Sequence, residues 1–269
     1  MTEATATKAP ELLVEKADGI LTLTLNRPEV LNSLTMNMMG GLTKALRDAA
    51  KDKAIRCVIL TAAGRAFCAG ADLGDLRKRQ EAKSFSLGDE LRDHFNPLIL
   101  QIRTMEKPVI GAVNGLAAGA GASLILSCDL KVCADTAKFI NAFSRVGLVP
   151  DSGITWFMPR FLGYSRALEH AWLAKPITAA QAEACGWVNK IVPAADVLTA
   201  AKALAAELAQ QAPLSVALTK RAINRALENS FEGQMEYEAQ LQEILGKTKD
   251  HDEGVKAFLE KRQPVFKGE

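Results

Sequence analysis

The chain has 269 residues, of which 48% are hydrophobic and 24% are charged, and its formal net charge is +2. This length allows one large domain with a sizeable core, and the balanced charge, without a long basic block, gives no reason to expect nucleic acid as a partner. No apolar run approaches the roughly 20 residues that a membrane-spanning helix needs, so we expect no membrane partner.

Residues 1–10 are polar and lack the apolar centre of a signal peptide, which predicts a flexible tail and a cytoplasmic protein. The cysteines include no CxxC pair, and most lie in apolar runs, so we expect buried free thiols and a reducing compartment. The three histidines are far apart and show no metal-ligand spacing, so we expect no metal site.

Hydrophobic alternation on either side of Asp18-Gly19 predicts a β-hairpin from residues 12–15 and 20–25. The charged segment 75–90 is predicted to be irregular and mobile. Between the hairpin and residue 134 the patterns predict helices over 34–50, 91–105 and 118–127, and strands over 56–61, 109–113 and 130–134. Strands that alternate with helices predict an α/β fold with a largely parallel sheet.

Beyond Ser152 the chain is mostly helical, with one predicted strand over 188–192. The predicted helices span 154–162, 166–173, 179–185, 194–211, 213–229, 234–245 and 251–261. The composition changes near residue 195. We therefore predict a body over 11–195 and a helical region over 196–269 whose amphipathic helices pack on this body or on a neighbour's.

Two glycine-rich segments each follow a predicted buried strand and lead toward a predicted helix. They read Gly64-Arg65-Ala66-Phe67-Cys68-Ala69-Gly70-Ala71-Asp72-Leu73 and Asn114-Gly115-Leu116-Ala117-Ala118-Gly119-Ala120-Gly121-Ala122. Glycine and alanine leave main-chain N–H groups uncovered, so a ligand can approach the backbone closely. Two N–H groups that converge can hold the oxygen of a polarised carbonyl, which predicts an oxyanion hole and chemistry on an acyl group.

Further motifs extend this pattern over most of the chain. They are Leu25-Asn26-Arg27-Pro28, Leu31-Asn32-Ser33-Leu34, Lys107-Pro108-Val109-Ile110-Gly111-Ala112-Val113-Asn114-Gly115 and Gly254-Val255-Lys256-Ala257-Phe258-Leu259-Glu260-Lys261-Arg262. With the two glycine-rich segments, they make residues 11–268 resemble the crotonase superfamily, the enoyl-CoA hydratase/isomerase family. The resemblance implies an α/β ClpP/crotonase spiral of repeated ββα units in two stacked sheets, with a C-terminal helical trimerisation region.

The resemblance also implies an acyl-CoA thioester substrate, a homotrimer or a dimer of trimers, and no cofactor apart from the CoA of the substrate. By position, the N–H groups of Ala71 and Ala120 would form the oxyanion hole. The residues implied to line the acyl-CoA site near the first segment are Ala69, Asp72, Leu73 and Gly74. Phe258 and Lys261 would reach the CoA of a neighbouring subunit, and a plain amphipathic helix end is the alternative for both.

The family's hydratases use two glutamates, and the matching positions here hold Ser123 and Phe143, which we expect to contact the substrate. Because hydration needs one group to activate water and one to deliver a proton, their absence argues against an efficient hydratase. Asp151 is the acidic residue expected near the pocket. It precedes a predicted helix, so it is either an N-cap or the catalytic acid/base.

The catalytic alternative is favoured by a more detailed resemblance to the subgroup that isomerises ring-1,2-epoxyphenylacetyl-CoA to its oxepin. The shared motifs are Phe95-Asn96-Pro97-Leu98, Ala142-Phe143-Ser144, Val149-Pro150-Asp151 and Thr155-Trp156. A single carboxylate is enough for a 1,3-proton shift. Phe143 would exclude water and raise the pKa of Asp151, which helps this group both accept and donate a proton. A purely structural place in the core is the alternative for Phe143.

Other functions stay open at this point. Δ3/Δ2-enoyl-CoA isomerisation would use the same groups on a linear chain. In an aryl-CoA dehalogenase, Asp151 would attack as a nucleophile with a histidine base, for which His94 is the candidate. An enoyl-CoA hydratase and a non-catalytic acyl-CoA-binding scaffold are further alternatives. Asp72, Asp75 and Glu90 are other acidic residues that could reach the pocket, although Asp72 is expected to stabilise its own loop.

Overall fold

The computed structural model describes residues 9–81 and 85–269. The predicted N-terminal tail falls largely on residues 1–8, outside the described residues, and residues 82–84 of the predicted irregular segment also lie outside them. Within the described residues, no helix has both the length and the apolar composition needed to cross a lipid bilayer.

The described strands form one sheet of six and one of four. They are β1 (Leu12–Ala17), β2 (Ile20–Leu25), β3 (Cys57–Ala62), β4 (Ala66–Cys68), β5 (Val109–Val113), β6 (Leu116–Ala118), β7 (Leu130–Ala134), β8 (Lys138–Ile140), β9 (Ile177–Thr178) and β10 (Lys190–Val192). The large sheet has the order β1-β2-β3-β5-β7-β10 and is parallel except for the β1–β2 hairpin. The small sheet has the order β4-β6-β8-β9.

The helices surround and follow these strands. They are α1 (Met36–Lys51), α2 (Leu73–Gln80), α3 (Leu87–Glu90), α4 (Asn96–Thr104), α5 (Ala120–Ser127), α6 (Ile154–Leu162), α7 (Tyr164–Leu173), α8 (Ala179–Ala184), α9 (Val197–Ala209), α10 (Pro213–Ala226), α11 (Phe231–Leu245) and α12 (Lys249–Glu260). A π-helical turn, Leu91–Phe95, joins α3 to α4, and short 3-10 turns span Pro28–Val30, Phe143–Val146 and Ala194–Asp196.

The chain alternates between the two sheets. In the units β3-β4-α2 and β5-β6-α5, the first strand joins the large sheet, the second joins the small sheet, and a helix follows. The predicted α/β spiral of ββα units in two sheets is therefore confirmed. The strands β3 and β5 are buried along their whole length, as expected for parallel strands covered on both faces.

The helix α9 packs against β3, β5 and β7 of the large sheet. Its residues Val197, Ala201 and Ala205 are part of the hydrophobic core. The predicted helical region, residues 196–269, thus begins with a helix that packs on the chain's own sheet. Its division from the body at residue 195 stays a prediction.

The prediction of an irregular segment over 75–90 is wrong for residues 75–80 and 87–90, because α2 and α3 lie there. The side chain of Asp72 accepts hydrogen bonds from the N–H groups of Gly74 and Asp75, both at 3.1 Å, and so begins α2. Ser86 caps α3 in the same way, at 3.2 Å from the N–H of Asp89. The many charges in this segment obscured its short apolar stripe.

Asn32 is fully buried and has a left-handed backbone, with φ +55°. Its amide donates to the carbonyl oxygens of Ala63 and Ala66, at 2.8 and 2.9 Å, and accepts from the N–H of Arg27 at 2.8 Å. These bonds hold the start of the first glycine-rich segment against the turn after β2.

We expect Asn32→Ala to lower the free energy of unfolding by at least about 2 kcal/mol. The change removes the Asn32 partner from one buried and two partly buried main-chain groups and places alanine at a left-handed φ. Urea denaturation measures this. The exposed Asn37→Ala is the control, and equal stability of the two variants would contradict the role of Asn32.

Candidate active site

A cavity of about 310 Å³ lies where the two glycine-rich segments meet α2, α3 and the loop that leads to α6. Its lining is mainly apolar. The lining residues are Ala69, Gly70, Ala71, Leu73, Leu76, Leu87, Gly88, Glu90, Leu91, Phe95, Gly119, Ala120, Ala142, Phe143, Val146, Leu148, Val149 and Asp151. The cavity therefore brings together the predicted acid and both predicted oxyanion donors.

The first glycine-rich segment is held by a short parallel bridge to Leu34. The N–H of Leu34 donates to the oxygen of Gly70 at 2.8 Å, and the N–H of Asp72 donates to the oxygen of Leu34 at 3.0 Å. Parallel pairing of this kind uses the groups on either side of Ala71. Within the described residues, the N–H of Ala71 itself donates to no main-chain oxygen.

The second segment turns sharply at Gly119, whose φ of +52° is in the left-handed region that favours glycine. The N–H of Gly119 donates to the oxygen of Ile140 at 2.9 Å, which ties the turn to β8. Ala120 is then the first residue of α5, so its N–H has no partner one turn earlier in the helix. In the described part of the chain it meets no other main-chain acceptor.

Backbone contact between the two segments explains why both lie at one cavity. A Cβ atom added to Gly70 would lie 3.1 Å from the oxygen of Ala118 and 3.7 Å from the nitrogen of Ala120. A Cβ atom added to Gly121 would lie 2.5 Å from the oxygen of Cys68, closer than side chains pack. Glycine at these positions lets the two free N–H groups approach the same space, as an oxyanion hole requires.

Asp151 lies in the loop before α6 and lines the cavity. It is not the N-cap of that helix, because Gly153 precedes Ile154 and no side chain caps the first turn. The N-cap alternative is therefore excluded. Burial raises the pKa of the Asp151 carboxyl, and a hydrogen bond of 2.8 Å from the Ser152 hydroxyl partly opposes that rise.

The two positions that hold glutamates in the family's hydratases have different surroundings here. Phe143, 8% exposed, lines the cavity and lies close to Gly119, and its role in excluding water stays a prediction. Ser123 does not line the cavity. It is 0% exposed, and its hydroxyl donates to the main-chain oxygen of Asp151 at 3.1 Å. The expected contact of Ser123 with the substrate is therefore not supported by the structure.

Of the other predicted contacts, Ala69 and Leu73 line the cavity. Asp72 and Gly74 lie outside its lining, where the Asp72 carboxylate caps α2 and pairs with Arg27 at 2.9 Å. Their contact with a pantetheine arm stays a prediction.

Phe258 and Lys261 lie at the end of α12, outside this lining, and Phe258 is 83% exposed. Their contact with the CoA of a neighbouring subunit also stays a prediction.

The sequence did not identify the apolar wall opposite the oxyanion segments. Leu87, Leu91 and Phe95 form part of it, four residues apart along α3 and the π-helical turn. That spacing was the available indication, although charged neighbours surround it. Glu90 lines the same wall and forms an ion pair with Arg79, whereas His94 on the π-helical turn is exposed and outside the lining.

The cysteines provide no activated nucleophile in the core. Burial raises the pKa of Cys57, Cys68, Cys128 and Cys133 to about 12, so these thiols stay protonated at neutral pH. All five cysteines are free, as predicted.

The sequence matches the family model described as enoyl-CoA hydratase/isomerase over residues 15–269. The chain belongs to this family. It is 44% identical to 1,2-epoxyphenylacetyl-CoA isomerase of Escherichia coli (strain K12), over 95% of this chain and 97% of that protein. It is 42% identical to a probable enoyl-CoA hydratase of Rhodobacter capsulatus, over 94% of this chain and 96% of that protein.

The structure agrees with this assignment. It superimposes on a crystal structure of a putative enoyl-CoA hydratase/isomerase from Mycobacterium abscessus with a TM-score of 0.90 and 33% identity, over 95% of this chain and 98% of that one. The resemblance inferred from the sequence is confirmed. The protein is a crotonase-family enzyme of the acyl-CoA hydratase/isomerase type, and both isomerases and hydratases occur among its relatives.

Proposed function

We propose that this protein is an acyl-CoA isomerase that moves a proton and a double bond through a thioester enolate. One observation carries the proposal: the Asp151 carboxylate lines the same cavity as Ala71 and Ala120, whose N–H groups have no main-chain acceptor within the described residues. The hydratase glutamate positions hold Ser123 and Phe143 instead.

In the proposed reaction, the thioester carbonyl accepts hydrogen bonds from the N–H groups of Ala71 and Ala120. Asp151 removes a proton from a carbon next to the double bond, and the electron pair moves toward the carbonyl oxygen to form a dienolate. Each main-chain donor stabilises that charge by about 3–4 kcal/mol. Asp151 then returns the proton two carbons away. The raised pKa of its carboxyl suits a group that must take and give back a proton.

The apolar lining favours an acyl group without charge. We propose ring-1,2-epoxyphenylacetyl-CoA, isomerised to the oxepin, with a linear Δ3/Δ2-enoyl chain as the other substrate. In the ring substrate, the bond between the two epoxide carbons breaks as the ring double bonds shift to form the seven-membered oxepin, and Asp151 moves a proton from the carbon next to the thioester carbonyl to the ring carbon two positions away. The linear chain needs the proton shift alone. The 44% identical isomerase from Escherichia coli acts on 1,2-epoxyphenylacetyl-CoA, as its name states. Phe95, Leu91 and Phe143 supply flat and branched apolar surface suited to a ring.

Hydration is a second candidate because relatives named as hydratases match almost the whole chain. Glu90 is a second carboxylate in the cavity wall, where a hydratase needs a second acid or base. Its ion pair with Arg79 occupies one of its oxygens, which favours a structural role for Glu90.

The deciding experiment incubates the protein in D₂O with a panel of acyl-CoA esters. The panel holds ring-1,2-epoxyphenylacetyl-CoA, Δ3-enoyl-CoA, Δ2-enoyl-CoA and a halobenzoyl-CoA. We expect oxepin formation or double-bond migration, with deuterium incorporated next to the migrated bond, as measured by mass spectrometry. Addition of water alone would indicate a hydratase instead, and halide release a dehalogenase.

Binding with neither product formation nor deuterium exchange would contradict the isomerase and favour an acyl-CoA-binding scaffold. The dehalogenase has the least support, because the described lining of the cavity contains no histidine.

We further propose that a neighbouring copy completes the CoA site in a homotrimer or a dimer of trimers, in the cytoplasm and with no cofactor apart from substrate CoA. Large apolar side chains are exposed on the C-terminal helices α11 and α12, including Phe231, Phe258 and Leu259. Exposed apolar patches of this kind indicate a protein interface.

A further inference from the structure

Two serines contact Asp151 from different directions. We propose that Ser152 positions its carboxylate and that Ser123 positions its main chain, so that both act on the proton transfer without touching the substrate. This inference rests on the proposed role of Asp151 as the acid/base. The two hydroxyls have different roles, so their loss should change different measured quantities.

The Ser152 hydroxyl donates to Oδ1 of Asp151 at 2.8 Å. Ser152 is 4% exposed and has a left-handed backbone with φ +54°, and Gly153 follows with φ +81°. A serine in this conformation is strained and persists because its surroundings hold it there. The strained turn places the hydroxyl beside the neighbouring carboxylate. Oδ2 accepts no hydrogen bond from the described residues, so we assign the proton transfer to this oxygen.

Ser123 lies in the first turn of α5, the helix that begins with the oxyanion donor Ala120. Its hydroxyl donates to the main-chain oxygen of Asp151 at 3.1 Å and lies 3.4 Å from the oxygen of Gly119. One buried hydroxyl therefore joins the loop that carries the acid to the helix that carries an oxyanion donor. The distance between the Asp151 carboxyl and the substrate carbonyl that Ala120 would bind therefore depends on the Ser123 hydrogen bond.

The charged side chains near Asp151 have other partners, so Ser152 is the main polar group that acts on its carboxylate. Glu90 is the other titratable residue in the described lining, and it pairs with Arg79. Of the arginines on the neighbouring elements, Arg145 donates to the oxygen of Ala174, Arg103 lies over the ring of Phe157, and Arg160 lies over the ring of Trp156. Ser152 stabilises the charged carboxylate, so loss of its hydroxyl raises the pKa of Asp151 further.

The test compares pH profiles of isomerase turnover for the full-length wild type, Ser152→Ala, Ser152→Gly and Ser123→Ala. For both Ser152 variants we expect the acid limb of kcat/KM to move to higher pH, because the base is ionised only at higher pH. We expect kcat to fall roughly ten- to a hundredfold and KM to change less than about twofold. For Ser123→Ala we expect a similar fall in kcat, whereas the acid limb of kcat/KM should stay at the same pH as in the wild type.

Ser127→Ala is the matched control, since Ser127 is a buried serine of α5 that donates to the oxygen of Leu124 instead. Ser152→Gly tolerates the left-handed backbone, so it gives a measurement even where Ser152→Ala folds poorly. An unshifted acid limb in Ser152→Gly, or normal kcat in Ser123→Ala, would overturn the corresponding assignment. If Asp151→Asn also kept full turnover, the proposed function itself would fail, which distinguishes the two failures.

Discussion

Asp151→Asn is expected to abolish isomerase turnover, with a fall in kcat of at least about a thousandfold. Asparagine has nearly the same shape as aspartate but cannot take up or return a proton at neutral pH. The N–H groups of Ala71 and Ala120 are untouched, so the acyl-CoA ester should bind with an affinity within about threefold of wild type. Steady-state kinetics on the substrate identified by the panel and isothermal titration calorimetry measure the two effects.

The stability of Asp151→Asn shows whether a loss of turnover is caused by unfolding. Burial raises the pKa of Asp151 in the folded protein, so the fold favours the protonated carboxyl. Its contribution to stability is present below the pKa of the unfolded chain and is lost as the pH rises through the raised folded pKa. The neutral asparagine should therefore be at least as stable as wild type at pH 7, with the difference disappearing in acid. Thermal unfolding of both proteins between acid pH and pH 7 measures this difference in stability.

Asp135→Asn removes a carboxylate from an exposed position outside the cavity lining and should leave turnover unchanged. Full activity of Asp151→Asn would eliminate the single-carboxylate mechanism. Loss of activity together with loss of folding at pH 7 would contradict the structural placement of Asp151.

Gly121→Ala is expected to separate the two oxyanion segments. The new methyl group would lie 2.5 Å from the oxygen of Cys68 and 2.7 Å from its Cβ atom, and a main-chain oxygen in a strand cannot move aside cheaply. We expect the free energy of unfolding to fall by about 2 kcal/mol or more and kcat to fall at least tenfold. Urea denaturation and turnover by the folded variant measure the two losses.

Gly40→Ala is the matched control on α1, where a Cβ atom meets nothing within 4 Å. Alanine in the interior of an exposed helix should raise the free energy of unfolding by about 0.5–1 kcal/mol, because it restricts the unfolded chain and favours the helix. A stable and fully active Gly121→Ala protein would show that close contact between the segments is not needed for the oxyanion hole.

Several elements could be predicted from the sequence to the residue. The strands over 109–113 and 130–134 and the helix over 154–162 have the same bounds in the structure. Each is a mainly apolar run or an amphipathic stripe of the expected length, so its preference is local. The hairpin around Asp18-Gly19 is confirmed for the same reason, because a two-residue turn of this type needs positive φ at both positions.

The small sheet could not be predicted from pattern. Its strands β4, β6 and β8 have three residues each, too few to show a period of two, and they pair only with segments distant in the chain. It entered the sequence interpretation through the family resemblance alone.

For the site, the sequence by itself determined the residue types: two glycine-rich segments, an aspartate, and Ser123 and Phe143 at the positions that the family resemblance assigns to the hydratase glutamates. Only the tertiary structure decided that the N–H groups of Ala71 and Ala120 have no main-chain acceptor among the described residues and lie beside one cavity, and that Asp151 lines it instead of capping α6. It also decided that Ser123 binds the main chain of Asp151. Glycine content and apolar spacing are local properties, whereas a free N–H, a buried carboxylate and a hydroxyl's partner depend on which distant segments pack together.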